Sequence, residues 1–243
     1  MKVYRTQEIA RLVNVHSNTV RLYEEWSFIS SVPREQNGYR RFSEVHLLQM
    51  QIARLAFRQE FIQNDLRRRA TRLVRLSGKE KFSEALKEAQ SYLQHLRGEH
   101  RNTLQAIESV GHLLKVTANS FITYTHHEMS KKLQLSEETL RNWERNGLYE
   151  IARDNRNRRI YTEKDFYKLL IIRTLRSAHF SIASIRNLFD KYIQDQQLDI
   201  GYILNSPRFT EDFLHVTDQL ELNLRRAMKD VEEIIALLNK SVS

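Results

Sequence analysis

Two short stretches of the chain carry side chains suited to gripping a polyanion. Ser17, Asn18 and Arg21 cluster at the start of a short amphipathic segment, and Tyr39, Arg40 and Arg41 follow an Asn37-Gly38 pair. Asparagine can pair bidentately with adenine, whereas a phenol or guanidinium on a phosphate fixes register without reading sequence. Each residue also has a plainer use. Ser17 and Asn18 can cap a helix, and Arg21 can pair with Glu24 or Glu25. Arg141, Arg158 and Arg159 form a second basic set, but Glu137 and Glu138 stand before it. Those carboxylates repel phosphate unless one accepts a hydrogen bond from a cytosine amine. Arg67-Arg68-Arg69 with Arg72 and Arg75 suits either flanking phosphates or a solvated helix face. Tyr23, Trp26 and Phe28 read as core.

Other chemistries find no foothold. The 243 residues include no cysteine, which removes disulfides, thiolate zinc sites, thiol-based mercury sensing and cysteine nucleophiles. His126-His127 invites a metal, but adjacent helical residues face different ways and no third ligand is spaced to join them. No glycine-rich phosphate loop, nucleophile elbow or paired-carboxylate motif is visible. The expectation is a protein that is not an enzyme and needs no cofactor or metal.

The composition agrees. Hydrophobic residues make up 41% and charged residues 28%, and 39 basic against 30 acidic side chains leave a net charge of +9. That charge is segregated: +7 over residues 1–75, +1 over 76–120, +4 over 121–190 and −3 over 191–243. Clustered positive charge is the footprint of a polyanionic partner. No window approaches ~18 consecutive apolar residues, so no membrane span is expected. The polar N-terminus does not read as a secretion signal, and a cytoplasmic, nucleoid-associated protein is expected. Six glycines and two prolines leave little room for a many-turned β fold.

The chain repeats itself once. A shift of 120 aligns Tyr4 with Tyr124, Glu8 with Glu128, Thr19 with Thr139, Arg21 with Arg141 and Glu24 with Glu144. From Gly38 a shift of 119 aligns Arg40 with Arg159, Phe42 with Tyr161, Arg54 with Arg173 and Phe61 with Phe180. After each copy comes a seam of four-three spacing, the mark of a coiled-coil helix. The first seam runs Phe82, Leu86, Ala89, Leu93, Leu96, His100, Thr103, Ile107, Val110, Leu114; the second runs Phe213, Thr217, Leu220, Leu224, Ala227, Val231, Ile234, Leu238. At about 1.5 Å per residue the seams are about 48 Å and about 38 Å long. Gly98 weakens the first. Gly78 marks one junction; Gly201, Asn205 and Pro207 mark a looser second one.

Within each copy two short helices flank a turn of about four residues, the second helix running from Thr19 to Trp26 in the first copy. Ser136 is a good N-cap for the corresponding helix of the second copy. His16 is a poor one, and Ser17 is a substitute. Residues 32–42, with Asn-Gly between apolar flanks, read as a small β wing. The expected fold is mainly α: two winged helix-turn-helix units each followed by a long coiled-coil helix. The boundaries are 1–77 (first unit), 78–118 (coiled-coil helix), 119–190 (second, divergent unit) and 191–243 (loop and C-terminal coiled-coil helix).

Thr19-Val20-Arg21-Leu22-Tyr23-Glu24 with the wing Asn37-Gly38-Tyr39-Arg40-Arg41-Phe42 resembles the MerR family of bacterial transcription regulators. Thr139-Leu140-Arg141-Asn142-Trp143-Glu144 with Asn146-Gly147-Leu148 repeats the pattern in weaker form. The resemblance implies a regulator that binds pseudo-palindromic double-stranded promoter DNA as a dimer and distorts the spacer between the elements RNA polymerase contacts, which makes the polymerase a second expected partner. It implies DNA contacts from Ser17, Asn18, Arg21, Tyr39, Arg40, Arg41, Arg141, Arg158 and Arg159. It also implies a dimer or intrachain coil through Leu86, Leu93, Leu96, Ile107, Leu114, Leu220, Leu224, Val231, Ile234 and Leu238. Two departures stand out: neither coil is followed by a ligand-sensing domain, and the second wing lacks the Gly-Tyr pair. One chain could thus act as a monomeric pseudo-dimer or assemble as a homodimer. The rival reading is a protein-interaction or architectural DNA-binding module whose second unit is a pseudo-domain.

Overall fold

The computed structural model describes residues 2–59, 64–116, 122–195, 199–205 and 219–242. The chain divides into two compact units, Met1–Gly98 with Asn223–Ser243, and Glu99–Leu222. The protein is mainly α. The first winged region holds α1 (Thr6–Leu12), α2 (Ser17–Glu25), α3 (Glu44–Ala56) and α4 (Asn64–Gly78), followed by the long α5 (Phe82–Leu114). The second holds β1 (Thr123–Thr125), α6 (His126–Leu133), α7 (Glu137–Arg145), β2 (Ala152–Arg153), β3 (Arg159–Thr162), α8 (Glu163–Ser177) and α9 (Ile182–Gln194). The short α10 (Ile200–Asn205) and the terminal α11 (Leu220–Val242) complete the described elements.

The repeat read from the sequence is a repeat of conformation. Helix α7 lies 120 positions after α2 at both ends. Left-handed backbone recurs at Asn14 and Gln134, at Ser27 and Gly147, and at Gly38 and Asn157. Buried side chains recur with it: Ile9, Ala10, Val13, Val20, Tyr23, Phe28 and Ile29 match Met129, Ser130, Leu133, Leu140, Trp143, Leu148 and Tyr149. Trp26 is an exception to the expected core, since it is 49% exposed. The two strand arrangements differ in extent. The second unit has an antiparallel sheet of order β1-β3-β2, with Tyr124 opposite Tyr161. The first has isolated bridges between Tyr4 and Phe42 and between Arg34 and Arg40.

Helix α3 is tied into the first unit by two buried polar residues. Gln49 accepts from the Ser30 N–H at 2.8 Å and donates to the Ser77 carbonyl at 2.8 Å, joining the α2–wing loop to the end of α4. His46 Nδ1 accepts from the Ser43 N–H at 3.0 Å, completing the helix start, and its Nε2 faces the Ser31 carbonyl at 3.4 Å. Burial holds this imidazole below its ordinary value, outweighing the opposite pull of that carbonyl, Glu80 and Glu24.

The long helices carry their seams, with a broader buried stripe on α5 than strict four-three spacing implies. Ala89, Leu93, Leu96, Thr103 and Val110 are buried, but so are Ala85, Tyr92 and Ala106, while Leu86, Ile107 and Leu114 are half-buried. A helix that packs on more than one neighbour widens its apolar face beyond the narrow seam. On α11 the seam holds: Leu220, Leu224, Ala227, Val231, Ile234 and Leu238 are all buried. Phe213, Thr217 and Pro207 lie outside the described residues. Gly201 and Asn205, read as loop markers, belong to α10, where Ile203 and Leu204 are buried and Asn187 donates to the Ile203 carbonyl at 3.2 Å.

Helix α11, though it ends the second half, belongs from Asn223 onwards to the first unit. Arg58 Nη1 meets Asp230 Oδ1 at 2.7 Å, Gln59 donates to the other oxygen at 3.2 Å, and Arg97 pairs with Glu232 at 3.0 Å. Within the second unit His100 meets Glu221 at 2.7 Å, so the polar position in the first seam has a partner.

Two glycines in the first unit have opposite expectations. A Cβ on Gly78 would sit 2.4 Å from the Ser27 carbonyl oxygen and 2.9 Å from the Phe28 carbonyl carbon. Gly78→Ala is expected to destabilise by about 2–3 kcal/mol, because the obstruction is backbone. Nothing lies within 4 Å of a Cβ on Gly98, so Gly98→Ala is expected to stabilise by about 0.5–1 kcal/mol through helix propensity. Urea unfolding of both variants checks this. His46 supplies a pH dependence. The unfolded ring titrates near 6.5 and the folded ring lower, so its contribution is complete above pH 6.5 and is lost as pH falls towards the folded value, by at most about 1.4 kcal/mol per pH unit. His126, also lowered by burial, adds in the same direction. His46→Gln preserves the Ser-x-x-Gln helix start and is expected to lose less stability between pH 7.5 and 5.5 than the parent, read by urea midpoints.

Candidate nucleic-acid interface

The first interface is built by α2 and the wing. Helix α2 starts because the His16 Nδ1 accepts from the Asn18 N–H at 3.2 Å, so His16 itself caps the helix and Ser17 becomes its first residue. This leaves Asn18 exposed and Ser17 half-buried, with Arg21 exposed one turn on. The wing turns at residues 35–38. The Gly38 N–H donates to Glu35 and the Glu35 N–H to Tyr39, both at 2.8 Å, and Gly38 takes φ +82°. The Asn-Gly pair therefore makes a three-residue loop with glycine at the left-handed position, not a two-residue turn. Tyr39, 65% exposed, stands at its tip with the Arg5 guanidinium 5.5 Å from its ring centre.

Ser17, Arg21, Tyr39 and Arg40 line one open groove between helix and wing. Asn18 is exposed on the same helix turn, whereas Arg41 is exposed but lies off the groove, its N–H donating to the Pro33 carbonyl at 2.8 Å. Arg40 acts structurally, because its Nε meets Glu24 Oε2 at 2.6 Å with both side chains about four-fifths covered. Glu24 Oε1 also accepts from the Val32 N–H at 3.4 Å, so one carboxylate ties α2 to both sides of the wing. Arg5, Thr6, Gln7 and Asn37 complete the groove, beyond the residues that sequence reasoning singles out. Arg5 is the legible one: a cation just before α1, close in space to Glu35 at 2.9 Å. Among the described residues neither Arg21 nor Arg41 has an acidic partner.

The second interface repeats this frame with a different surface. Arg159 Nε meets Glu144 Oε2 at 2.7 Å, the counterpart of Arg40 with Glu24, and this bond raises the Arg159 pKa further. The wing keeps the same turn: Asn157 N–H donates to Asp154 at 2.8 Å, Asp154 N–H donates to Arg158 at 2.9 Å, and Asn157 takes φ +60°. Asparagine tolerates this region better than other non-glycine residues, so the missing glycine leaves the wing intact. What changes is charge. Arg141 pairs with Glu137 at 2.9 Å and Glu138 at 3.4 Å, Arg145 with Glu138 at 2.5 Å, and Arg158 with Asp154 at 2.8 Å. Hydrogen bonds from His127 to Glu137, from Arg145 to Glu138 and from the Arg158 N–H to Asp154 lower all three carboxyl pKa values, so they stay ionised.

The adjacent histidines are part of this frame. His126 Nδ1 bonds the Tyr161 hydroxyl at 2.7 Å and its Nε2 the Glu137 carbonyl at 3.2 Å, while His127 bonds the Glu137 carboxylate at 3.0 Å. Among the described residues no three histidine, aspartate or glutamate side chains gather as a metal site, and no helix is long and apolar enough to cross a membrane.

The arrangement, a helix-turn-helix whose second helix is braced by a basic wing, is one that lays a helix in the major groove. Comparison with known proteins agrees. Residues 4–65 and 124–192, together just over half of the chain, each match the MerR HTH family regulatory protein family. No curated protein and no solved structure matches the chain significantly. The chain thus carries two helix-turn-helix regions of a family of DNA-binding transcription regulators, and it belongs to the MerR helix-turn-helix family.

Proposed function

We propose that the protein is a sequence-specific regulator acting at promoters, in which one chain serves as a pseudo-dimer on double-stranded DNA. The observation that carries the DNA contact is the first groove, where Ser17, Arg21 and Tyr39 line one open face and Arg21 has no acidic partner among the described residues. Asn18 and Ser17 approach base edges; Arg21, Tyr39 and Arg41 hold phosphates; Arg40 contributes by holding the wing. The second groove meets a different half-site. Its Arg141, Arg158 and Arg159 are committed to carboxylates, and Glu137 and Glu138 at the start of α7 suit a base amine better than phosphate. RNA polymerase at the promoter is the further partner that this reading brings.

The single-chain arrangement draws support from α11. Its burial and its ties from Arg58, Gln59 and Arg97 give the last helix of the second half a place in the first unit. We infer that α5 and α11 pair antiparallel within one chain through Leu93, Leu96, Leu224, Val231 and their neighbours. Recognition helices related by a pseudo-twofold would then enter successive major grooves about 34 Å apart. The self-neutralised second groove also favours a second reading, in which that unit is a pseudo-domain presenting a protein-binding surface.

Two measurements separate these readings. Fluorescence anisotropy on a duplex from the protein's own upstream region should show Arg21→Ala and Tyr39→Ala each weakening binding about tenfold, with the salt slope reduced by about one for each lost phosphate contact. Arg141→Ala and Arg158→Ala should change it less than about threefold, since exposed pairs already hold them. Unaltered affinity in the first two variants rejects the DNA-contact assignment. Sedimentation of the 29.0 kDa chain should give a monomer at micromolar concentration; a stable dimer rejects the pseudo-dimer.

A further inference from the structure

The first unit contains a cavity of about 310 Å³ where the end of the recognition helix meets α4 and α5. Its wall is aromatic: Tyr23 on α2, Trp26 and Phe28 just beyond it, Phe57 at the end of α3 and Tyr92 on α5. Ring centres lie 5.6 Å apart for Tyr23 and Phe28, 5.7 Å for Trp26 and Phe28, and 5.2 Å for Phe28 and Phe57, which are packed aromatic distances. Arg67 on α4 supplies the full charge, and no acidic side chain is among the described lining residues.

Two donors line this cavity, the Tyr92 hydroxyl from α5 and the exposed Arg67 guanidinium from α4. Tyr92 is only 2% exposed as a residue and lines the cavity. Arg67 has no acidic partner among the described residues. A hydroxyl and a guanidinium at the wall of a cavity can both donate to a bound acceptor, and the charged donor makes the stronger bond. The second copy lacks the box: Asn146, Leu148 and Arg176 stand where the first has Trp26, Phe28 and Phe57. The cavity is therefore a feature added to the shared fold.

We propose that this cavity binds a small planar aromatic carboxylate. The rings receive the flat body, while the Tyr92 hydroxyl and the Arg67 guanidinium donate to the carboxylate oxygens. The volume, at the lower end of ligand sites, fits one or two fused rings. A cation is excluded because Arg67 would oppose it with no neighbouring acid among the described residues. Tyr23 shares α2 with Asn18 and Arg21, so occupancy bears on the helix that reads DNA. This coupling rests on the proposed DNA reading, whereas binding itself does not.

Calorimetry on the full chain tests binding with sodium 1-naphthoate, neutral 1-naphthalenemethanol and 1-naphthylmethylammonium. Naphthoate should bind one to one and about tenfold tighter than the alcohol, with no detectable binding of the amine. Arg67→Gln and Tyr92→Phe should each weaken naphthoate about fivefold or more and leave the alcohol within about twofold, because each removes a donor and keeps the apolar wall. Unchanged melting temperatures show that both variants fold. No saturable heat at millimolar naphthoate, equal binding of the amine, or indifference to both variants overturns the proposal. Saturating naphthoate should also shift affinity for the operator duplex by about threefold or more. An unchanged value overturns the coupling, while failure of the ligand-free protein to bind DNA strikes the DNA reading and leaves the calorimetry standing.

Discussion

The bond on which each winged unit depends joins a glutamate on the recognition helix to an arginine on the wing: Glu24 with Arg40, and Glu144 with Arg159. A wing is a short ribbon that cannot hold its own position, since two-stranded hairpins are marginal in water. The carboxylate supplies what the ribbon lacks. It fixes the wing relative to the helix, so that groups on both meet one surface at one register. The pairs are about four-fifths covered on both sides, which screens them less than surface pairs and makes their loss costlier than the loss of an exposed contact. The same choice pairs Arg40 and Arg159 with carboxylates, while Arg21 and Arg41 have no acidic partner among the described residues.

With that brace in common, the two units differ through charge on their faces. The first α2 opens without an acid, while α7 opens with Glu137 and Glu138, which bind Arg141 and Arg145. Exposed pairs of this kind add little stability. Their effect is on potential, because each cancels a cation that would otherwise release counterions on meeting DNA. The wing tips diverge likewise: Tyr39 stands exposed and uncharged, whereas its counterpart Arg158, also exposed, pairs with Asp154. A common scaffold thus presents one open cationic groove and one self-neutralised groove.

The frame is legible where a residue type has one geometric use. Spacing from Thr19 to Glu24 and from Thr139 to Glu144 yields both second helices of the helix-turn-helix, and the four-three seam from Leu220 to Leu238 yields the buried face of α11. Sequence reasoning goes astray where different residues serve one geometry or where tertiary packing decides. The second wing lacks the Gly-Tyr pair, yet Asn157 adopts the same left-handed backbone as Gly38. His16 reads as a weak cap, but an imidazole nitrogen accepts a backbone N–H as an oxygen does. The pairing of Arg40 with Glu24 is not legible because the two stand 16 positions apart. Ala85, Tyr92 and Ala106 are buried on α5 through neighbours that periodicity alone does not reveal. Arg5 and Asn37 give weaker signals, since a groove takes its walls from loops whose approach depends on the whole unit.

In the proposed pseudo-dimer, placing two family units in one chain changes what the pairing of the halves must satisfy. A homodimer of identical halves needs a self-complementary coil, and every substitution appears twice. Helix α11, drawn into the first unit by Asp230 and Glu232, has no such obligation, because α5 and α11 are different sequences. In the proposed pseudo-dimer, covalent linkage would also remove the dependence of assembly on concentration and replace it with a fixed effective concentration. In the pseudo-dimer reading this freedom allows the asymmetry seen at the faces. Glu137, Glu138 and Asn157 could enter the second unit without altering the first, and the aromatic box around Trp26 could enter the first without a counterpart in the second. A regulator built this way can pair one half that supplies affinity with another that adjusts which DNA is accepted.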